Sequence, residues 1–348
     1  MKRYLRQFVA TTFACLLTLT PSLGVEANVL SIKQDAPKTY TVIKGDTLWD
    51  ISSLYLDSPW LWPRLWQMNP EIENPHLIYP GDKLSLEWRN GQPMLTLKPM
   101  IKLSPKARKQ AKPPIKAVRE ELFLPYLKSH RLIENQQLHS AERVVGASDG
   151  RRYLTDAKLI YISGQQPPSH WGIYREMRTI DVDGRRVTAL KKIAEGEVVT
   201  SDEELSALSV SIQHQEIMAG DIVLSDIGTE EALLSSTFYP QPGPSGSVSK
   251  ILGSLEGSQY SGSNDVVVVS GGRNQDFEQG SMFQLYQKGV SSKLDQHQGK
   301  QYRLPSVAVG HLMVIRPYRD YSLALVTQAT APIGIDTELM APNLEDTH

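Results

Sequence analysis

The sequence predicts an α+β protein, in which a small strand–helix–helix–strand module precedes two β-rich repeats with the character of small barrels or sandwiches. Three observations predict this class. In residues 39–87 the apolar residues recur first with the two-residue period of a strand, then with the period of a helix, and then with the strand period again. Residues 120–235, after a short helix, and residues 245–342 consist mainly of alternating runs separated by Gly and Asp turns. Three pairs of similar segments occur in the same order in these two ranges.

The first 27 residues have the pattern of a cleaved signal peptide. Lys2, Arg3 and Arg6 form a basic start, residues 8–19 are apolar, and Val-Glu-Ala ends at Ala27 with the small residues that precede cleavage. The apolar stretch is shorter than the ~20 residues that a membrane helix needs. We therefore predict export and cleavage after Ala27, with no transmembrane segment in the mature chain. An uncleaved anchor is the alternative.

Composition limits the classes of function. The net charge of −1 provides no overall positive field that would attract a polyanion such as nucleic acid. Since the chain is also predicted to be exported, we expect no nucleic-acid partner. The single cysteine, Cys15, lies in the leader. The mature chain therefore has no disulfide, no cysteine nucleophile and no cysteine ligand for zinc.

The N-terminal module begins with an alternating run, residues 40–44, that predicts a strand ending at Gly45. Asp46 or Thr47 can cap the following helix, and Thr47 with Asp50 has the spacing of a capping box. A second helix starts near Pro63 and ends before Asn69-Pro70, since proline disfavours helical geometry in the preceding residue. The segment "LIYPGDKLSLEW" then predicts a turn and a closing strand.

Four of the six tryptophans fall in this module. Trp49 and Trp66 occupy helical positions, so we expect both in the core of the module. Trp60 and Trp62 lie between two prolines, and we expect at least one of them to be exposed. That indole would contact either a sugar or the rest of the protein.

The segments "YTVIKGDTLWDIS", "LWQMNPEI" and "LIYPGDKLSL" give residues 39–87 a clear resemblance to a LysM domain. The resemblance implies binding to the N-acetylglucosamine backbone of peptidoglycan or chitin, in a shallow groove between the first strand–helix loop and the loop after the second helix. Structural roles in a turn and a helix cap account for Gly45 and Thr47 equally well. The resemblance places the glycan-binding residues at Gly45, Asp46, Thr47, Leu48, Asn69, Pro70, Glu71, Ile72 and Asn74.

Residues 98–119 hold eight Lys or Arg, four Pro and no acidic residue. This composition predicts an extended, solvated linker, because like charges repel and proline favours extended chain. Its charge would add a weak, salt-sensitive attraction to an anionic wall polymer.

The C-terminal part of the chain contains a weak internal repeat. "DAKLIYISG" resembles "NDVVVVSGG", "WGIYREM" resembles "GSMFQLYQKG", and "ALSVSIQHQEIMAGDIVL" resembles "LALVTQATAPIGIDTEL". The Pro/Gly-rich "YPQPGPSGS" separates the two copies. This part also resembles the C-terminal regions of LysM-containing exported proteins of Gram-negative bacteria, which implies a periplasmic location.

Catalytic signatures common in wall hydrolases are missing. No His-Glu-x-x-His or His-x-His occurs, and the mature chain has no cysteine. Glu120 and Glu121 begin a helix but lack the surroundings of a transglycosylase acid, and His214 and His311 lie in strand-like runs. We expect no catalytic residue, no metal site and no cofactor.

The interpretation that follows is a non-catalytic, peptidoglycan-binding envelope protein. Two alternatives stay open: a wall-remodelling enzyme with its catalytic residues in the C-terminal region, and an assembly adaptor that binds another envelope protein through that region.

Overall fold

A computed structural model describes residues 30–67, 78–98, 116, 118–147, 150, 153–154, 159–225, 239–246, 248–293 and 301–342. The N-terminal module contains strand β1 (Thr39–Thr41), helix α1 (Leu48–Tyr55), a 3-10 turn (Pro59–Leu61), helix α2 (Trp62–Gln67), and strands β2 (Lys83–Arg89) and β3 (Gln92–Lys98). The expected strand–helix–helix–strand order is confirmed. Strand β3 lies beyond the expected end of the module and completes an antiparallel sheet in the order β1-β2-β3.

The middle of the chain forms a first barrel. It begins with a 3-10 turn (Glu120–Leu122) and contains helices α3 (Leu124–Ser129) and α4 (Asn135–Ser140). Its strands are β4 (His130–Glu134), β5 (Glu142–Gly146), β6 (Tyr153–Leu154), β7 (Leu159–Ser163), β8 (His170–Val182), β9 (Arg185–Ser201), β10 (Leu205–Gln213), β11 (Ile217–Met218) and β12 (Ile222–Ser225). Six of them pair in the order β10-β7-β5-β12-β8-β9, and a pairing between β9 and β10 closes the circle. Strand β4 extends the sheet beyond β9.

A second barrel follows. Its strands are β13 (Gln241–Pro242), β14 (Val248–Ser254), β15 (Val266–Ser270), β16 (Ser281–Gln287), β17 (Ser291–Lys293), β18 (Gln301–Arg303), β19 (Val307–Pro317), β20 (Tyr321–Ala329) and β21 (Glu338–Met340), with a 3-10 turn at Arg273–Gln275. Six strands pair in the order β16-β19-β20-β15-β14-β21, and β16 also pairs with β21 to close the barrel.

The two barrels have the same strand order. When β5, β7, β8, β9, β10 and β12 are matched in chain order to β14, β15, β16, β19, β20 and β21, every neighbouring pair of one barrel has its counterpart in the other. The three pairs of similar segments in the sequence fall on matched strands: β7 with β15, β8 with β16, and the stretch from β10 to β12 with the stretch from β20 to β21.

The second barrel is apolar on both faces of several strands. In β15, Val267 and Val269 point into the barrel, whereas Val266 and Val268 point outward into a second core. Successive side chains of a strand face opposite sides, so an unbroken apolar run marks a strand that is covered on both sides. The outer core also contains Leu48 and Leu65 of the N-terminal module. The module and the second barrel therefore share one continuous core.

A partly buried ion pair, between Arg175 and the buried Asp221, connects elements at one end of the first barrel. The carboxylate of Asp221 accepts hydrogen bonds from Nε and Nη2 of Arg175, at 3.0 and 2.8 Å, and from the backbone amide of Met218. Arg175 also donates to the carbonyl of Glu216 at 2.7 Å. The pair therefore holds strand β8 against the turn that leads into β12, and Asp221 raises the pKa of Arg175 through its hydrogen bond.

His130 is buried where the two barrels meet. Its carbonyl accepts a hydrogen bond from Arg316 of the second barrel at 3.0 Å, and its ring lies 5.4 Å from the ring of Tyr126. Burial, together with the charges of Lys191 and Arg316, lowers the pKa of His130 to about 4. The neutral imidazole is therefore the form that the fold accommodates.

We expect the stability of the protein to fall in mild acid because of His130. An unfolded histidine takes up a proton near its ordinary pKa of ~6.5, well before the folded one does, so protonation favours the unfolded state as the pH falls from ~6.5 towards 4. The free energy of unfolding should drop by about 2 kcal/mol between pH 7 and pH 5 from this group. Urea denaturation at the two pH values measures it. His130→Phe should reduce the drop, whereas His139→Gln, at an exposed histidine, should leave it unchanged.

Candidate functional site

The start of α1 is formed as its sequence predicts. Oγ1 of Thr47 accepts a hydrogen bond from the backbone amide of Asp50 at 3.1 Å, and the amide of Thr47 donates to the carboxylate of Asp50 at 3.2 Å. These two bonds are the reciprocal capping box, which satisfies amides that the helix itself leaves free. The cap is therefore Thr47 rather than Asp46.

Asp46 instead holds the loop between β1 and α1 in a tight turn. Its carboxylate accepts hydrogen bonds from the hydroxyl of Tyr40 and from the amide of Ile43, both at 2.9 Å. Burial and the bond to Asp46 raise the pKa of Tyr40. Gly45 has a φ of +102°, a conformation that favours glycine, and the space beside its Cα is open. The loop thus presents a bare stretch of backbone at the surface.

The predicted glycan-binding residues differ in their exposure. Gly45 is exposed and Asp46 is half-buried, whereas Thr47 and Leu48 are buried. The residues predicted for the opposite side of the groove lie outside the described part of the chain: Asn69, Pro70, Glu71, Ile72 and Asn74. The structure therefore describes one wall of the predicted groove, and in that wall it is the backbone around Gly45 that faces outward.

The expectation that Trp60 or Trp62 is exposed is wrong. Each indole is only 2% exposed. The ring centroid of Trp60 lies 4.6 Å from that of His311 on β19, and the ring of Trp62 lies 6.1 Å from that of Tyr239. The two tryptophans therefore dock the module onto the second barrel, where the apolar outer face of that barrel covers them.

Trp49 is half-buried, and the side chain of Trp66 lies outside the described residues. Trp49 lines a cleft of about 160 Å³ between the module and the second barrel, which contributes Asn264, Leu325 and Thr327 to it. Trp49 thus packs at the boundary between the two units, and the expected core position is only partly realised.

The end of the basic segment contacts the same loop. The carbonyl of Lys116 accepts a hydrogen bond from the amide of Leu48 at 2.9 Å, and Nε of Arg119 lies 3.1 Å from the carboxylate of Asp50. Val118 between them is buried in the shared core. These residues were expected to belong to a solvated linker, and Val118, one of the apolar residues near its end, was a signal for the contact.

The residues considered for catalysis are not grouped into a site. His311 is half-buried against Trp60, His214 is exposed, and Glu120 pairs with Lys116 at 2.7 Å. The sequence at 146–150, Gly-Ala-Ser-Asp-Gly, has the spacing of a serine nucleophile motif, which the sequence reasoning missed. It follows β5 but leads to strand β6 instead of a helix, and its serine lies outside the described residues.

In the described ranges, no three His, Cys, Asp or Glu side chains are grouped so that they could hold a metal ion. The helices found in those ranges are all too short or too polar for a membrane crossing.

Residues 40–87 match the family model of the LysM domain, so this part of the chain is a LysM domain. Over 63 residues the chain is 40% identical to an uncharacterized protein, YqbP, of Bacillus subtilis (strain 168). The alignment covers 15% of this chain and 29% of that protein, so the similarity concerns one part of each. A LysM domain indicates binding to peptidoglycan or a related N-acetylglucosamine glycan, and is typical of extracytoplasmic wall-binding proteins.

Proposed function

We propose that this protein is a non-catalytic, peptidoglycan-binding protein of the Gram-negative periplasm, exported with a signal peptide that is cleaved after Ala27. The observation that carries the proposal is the LysM domain with its exposed loop at Gly45. Its partner is the N-acetylglucosamine-containing glycan strand. In this proposal the glycan contacts Gly45 to Leu48 on one side, and the contacts predicted for the other side, Asn69 to Asn74, lie outside the described residues.

Neutral N-acetyl sugars offer amide and hydroxyl groups, so backbone hydrogen bonds suffice to hold them. The exposed backbone around Gly45 fits that task, and Asp46 fixes its shape through the two bonds to Tyr40 and Ile43. No titrating side chain is required. Shallow polar grooves gain little from each contact, because desolvation of polar groups offsets much of it. We therefore expect modest affinity for a single strand.

The two barrels are copies of one unit in this proposal. Their identical strand order and the matched positions of three similar segments support a duplication. Docking through Trp60 and Trp62 fixes the LysM domain to the second barrel, which supports a role in holding the barrels at a set orientation to the wall. In that position the barrels would offer a surface to another envelope protein.

The test is sedimentation of the full chain with purified sacculi. Gly45→Ala forces an L-residue into a φ of +102°, so the loop must shift its backbone groups, and we expect binding to weaken about tenfold, or about 1.4 kcal/mol. Gly91→Ala is the matched control, because Gly91 has a φ of +77° with open space around it at the opposite end of β2. It should bind as the parent chain does.

Equal binding by the two glycine variants would place the glycan elsewhere. Point variants are preferable to deletion of residues 39–87, since deletion would uncover the apolar outer face of the second barrel. Clearing of a peptidoglycan gel by the purified protein would instead favour a wall-remodelling enzyme.

A further inference from the structure

We infer that this protein associates head to tail with a second copy of itself, so that an arm of the second barrel of one copy packs on an apolar face of the first barrel of the other. The inference goes beyond the proposed function and does not depend on it. Such an association repeats, between two chains, the contact that already joins the two barrels within one chain.

The match between the two barrels extends to single residues, because their β-bulges lie at the same places. A bulge inserts one extra residue into one strand of a pair. In the first barrel the extra residues are Val145 on β5 and Val199 on β9. In the second barrel they are Leu252 on β14 and Ile315 on β19. Each bulged residue of one barrel therefore has an apolar counterpart in the other.

The matched residues form two equivalent faces, of which only one is covered. The register between β7 and β10, and between β15 and β20, adds one residue from each of these strands to the two faces. The second-barrel face belongs to the core shared with the LysM domain or packs against it, and it consists of Leu252, Val266, Ile315 and Tyr321. The first-barrel face is between 36% and 56% exposed at each of its four residues, which are Val145, Leu159, Val199 and Leu205.

An arm of the first barrel provides part of the cover on the second. Strands β8 and β9 continue beyond the barrel as a hairpin, residues 176–190, here called the first arm. Its Ile180 and Val187 lie in the core that contains the second-barrel face. Nη1 of Arg178 on this arm donates a hydrogen bond to the carbonyl of Ser254, at the end of β14, at 3.1 Å. Within one chain, the arm of one barrel thus packs on the outer face of the next.

The second barrel has an arm at the matched place. Residues 288–306, here called the second arm, connect β16 to β19 and contain the hairpin of β17 and β18. At its base Val290 and Leu304 lie opposite each other, joined by a hydrogen bond of 3.1 Å, and they are 69% and 47% exposed. Val307, the first residue of β19, is also exposed. Residues 294–300 lie outside the described part of the chain, and the proposed contact needs only the base of the arm.

Charge favours the second arm as the partner of the first-barrel face. Exposed acidic residues lie beside this face on β9 and in the turn before β10: Glu197, Asp202, Glu203 and Glu204. The base of the second arm carries the exposed basic residues Lys288 and Arg303. A second copy therefore offers apolar side chains and opposite charge together. Since the two surfaces differ, each contact leaves one face and one arm available for a further copy, and the association continues into a ring or a filament.

The test is sedimentation velocity over a range of concentrations on the chain without residues 1–27, the mature form in the proposed function. The parent chain should form species that grow beyond dimers as its concentration rises. Val199→Asp on the face and Val290→Asp on the arm should each weaken this association about tenfold or more, because a carboxylate would lose its water inside an apolar contact. Ile335→Asp is the matched control, since Ile335 is 64% exposed in the second barrel but belongs to neither surface. It should associate as the parent chain does.

A mixture of the two variants identifies the surfaces that meet. Val199→Asp keeps an intact second arm, and Val290→Asp keeps an intact first-barrel face. An equimolar mixture should therefore form dimers that do not grow further, although each variant alone stays monomeric. Circular dichroism shows whether each variant is folded, and Leu205→Asp or Leu304→Asp replaces a variant that is not.

Two results would overturn the inference. One is a parent chain that stays monomeric at every concentration tested. The other is a Val290→Asp chain that forms dimers by itself, because its association would then join two identical surfaces instead of an arm and a face. Sedimentation with sacculi is measured separately, so the failure of either proposal leaves the other standing.

Discussion

Trp60→Ala should destabilise the whole protein by about 3–5 kcal/mol, which is the usual effect of truncating a fully buried tryptophan. The indole is 2% exposed and lies against His311, so its loss leaves a cavity between the LysM domain and the second barrel. The cavity forms in a core that both units share. We therefore expect the LysM domain and the second barrel of the variant to unfold less cooperatively with each other, in addition to the loss of stability.

Urea denaturation followed by circular dichroism and by tryptophan fluorescence measures both effects. The parent chain should show coincident transitions of the LysM domain and the second barrel, and Trp60→Ala should separate them. Trp88→Ala is the matched control: Trp88 is 60% exposed on β2 of the same domain, and its loss should change the free energy of unfolding by less than about 0.5 kcal/mol. A Trp60→Ala chain that unfolds at the parent midpoint would show that the two units are not coupled through this contact.

Asp221→Ala should cost about 2 kcal/mol, because it leaves the guanidinium of Arg175, whose side chain is 29% exposed, and the amide of Met218 without the carboxylate that they share. Asp221 is only 7% exposed, so water replaces that carboxylate poorly. The free energy of unfolding, measured with urea at pH 7, should fall accordingly. Removal of both partners in Arg175→Ala/Asp221→Ala should cost less than the sum of the single changes, since no charge is then left unpaired.

Lys250→Ala is the control for the loss of an exposed ion pair. Lys250 pairs with Asp336 at 3.0 Å, but the two side chains are 49% and 63% exposed, so the change should cost less than about 1 kcal/mol. Additive effects of the two single changes at Arg175 and Asp221 would mean that they stabilise the barrel independently of each other.

The local features of the N-terminal module could be predicted because neighbours in sequence determine them. The capping box needs only Thr47 and Asp50, which are three residues apart. The turn at Gly45 likewise depends on one residue that tolerates a positive φ. In the barrels, alternation and turn residues predicted the strands, and three similar segments indicated a common unit. The pairings β9–β10 and β16–β21 close the two barrels. They depend on the register between strands that are far apart in the sequence, and the spacing of apolar residues within one strand carries no information on that register.

The position of Trp60 and Trp62 could not be predicted, since both partners are far away in the sequence. His311 and Tyr239 are residue types that also occur on solvent-exposed surfaces, so the sequence does not mark them as docking partners. Tryptophans between two prolines can be either exposed or buried. The better signal was the run of four valines at 266–269, because a strand that is apolar at every position needs a cover on each face. The prediction of a solvated linker over residues 98–119 failed at its end for a similar reason. It rested on the many Lys, Arg and Pro residues of the segment, whereas the burial of Val118 depends on the shared core.

The shared core also determines the order in which the protein can mature. The LysM domain is synthesised first, but its docking face waits for strands that are about 250 residues further along the chain. At ribosomal rates, about 10–50 s separate Trp60 from His311. During that interval two large indoles have no cover, and an exported chain would cross the membrane with them unprotected. In the proposed export, a holding chaperone on the first hundred residues, or translocation that is completed before folding begins, would protect these indoles.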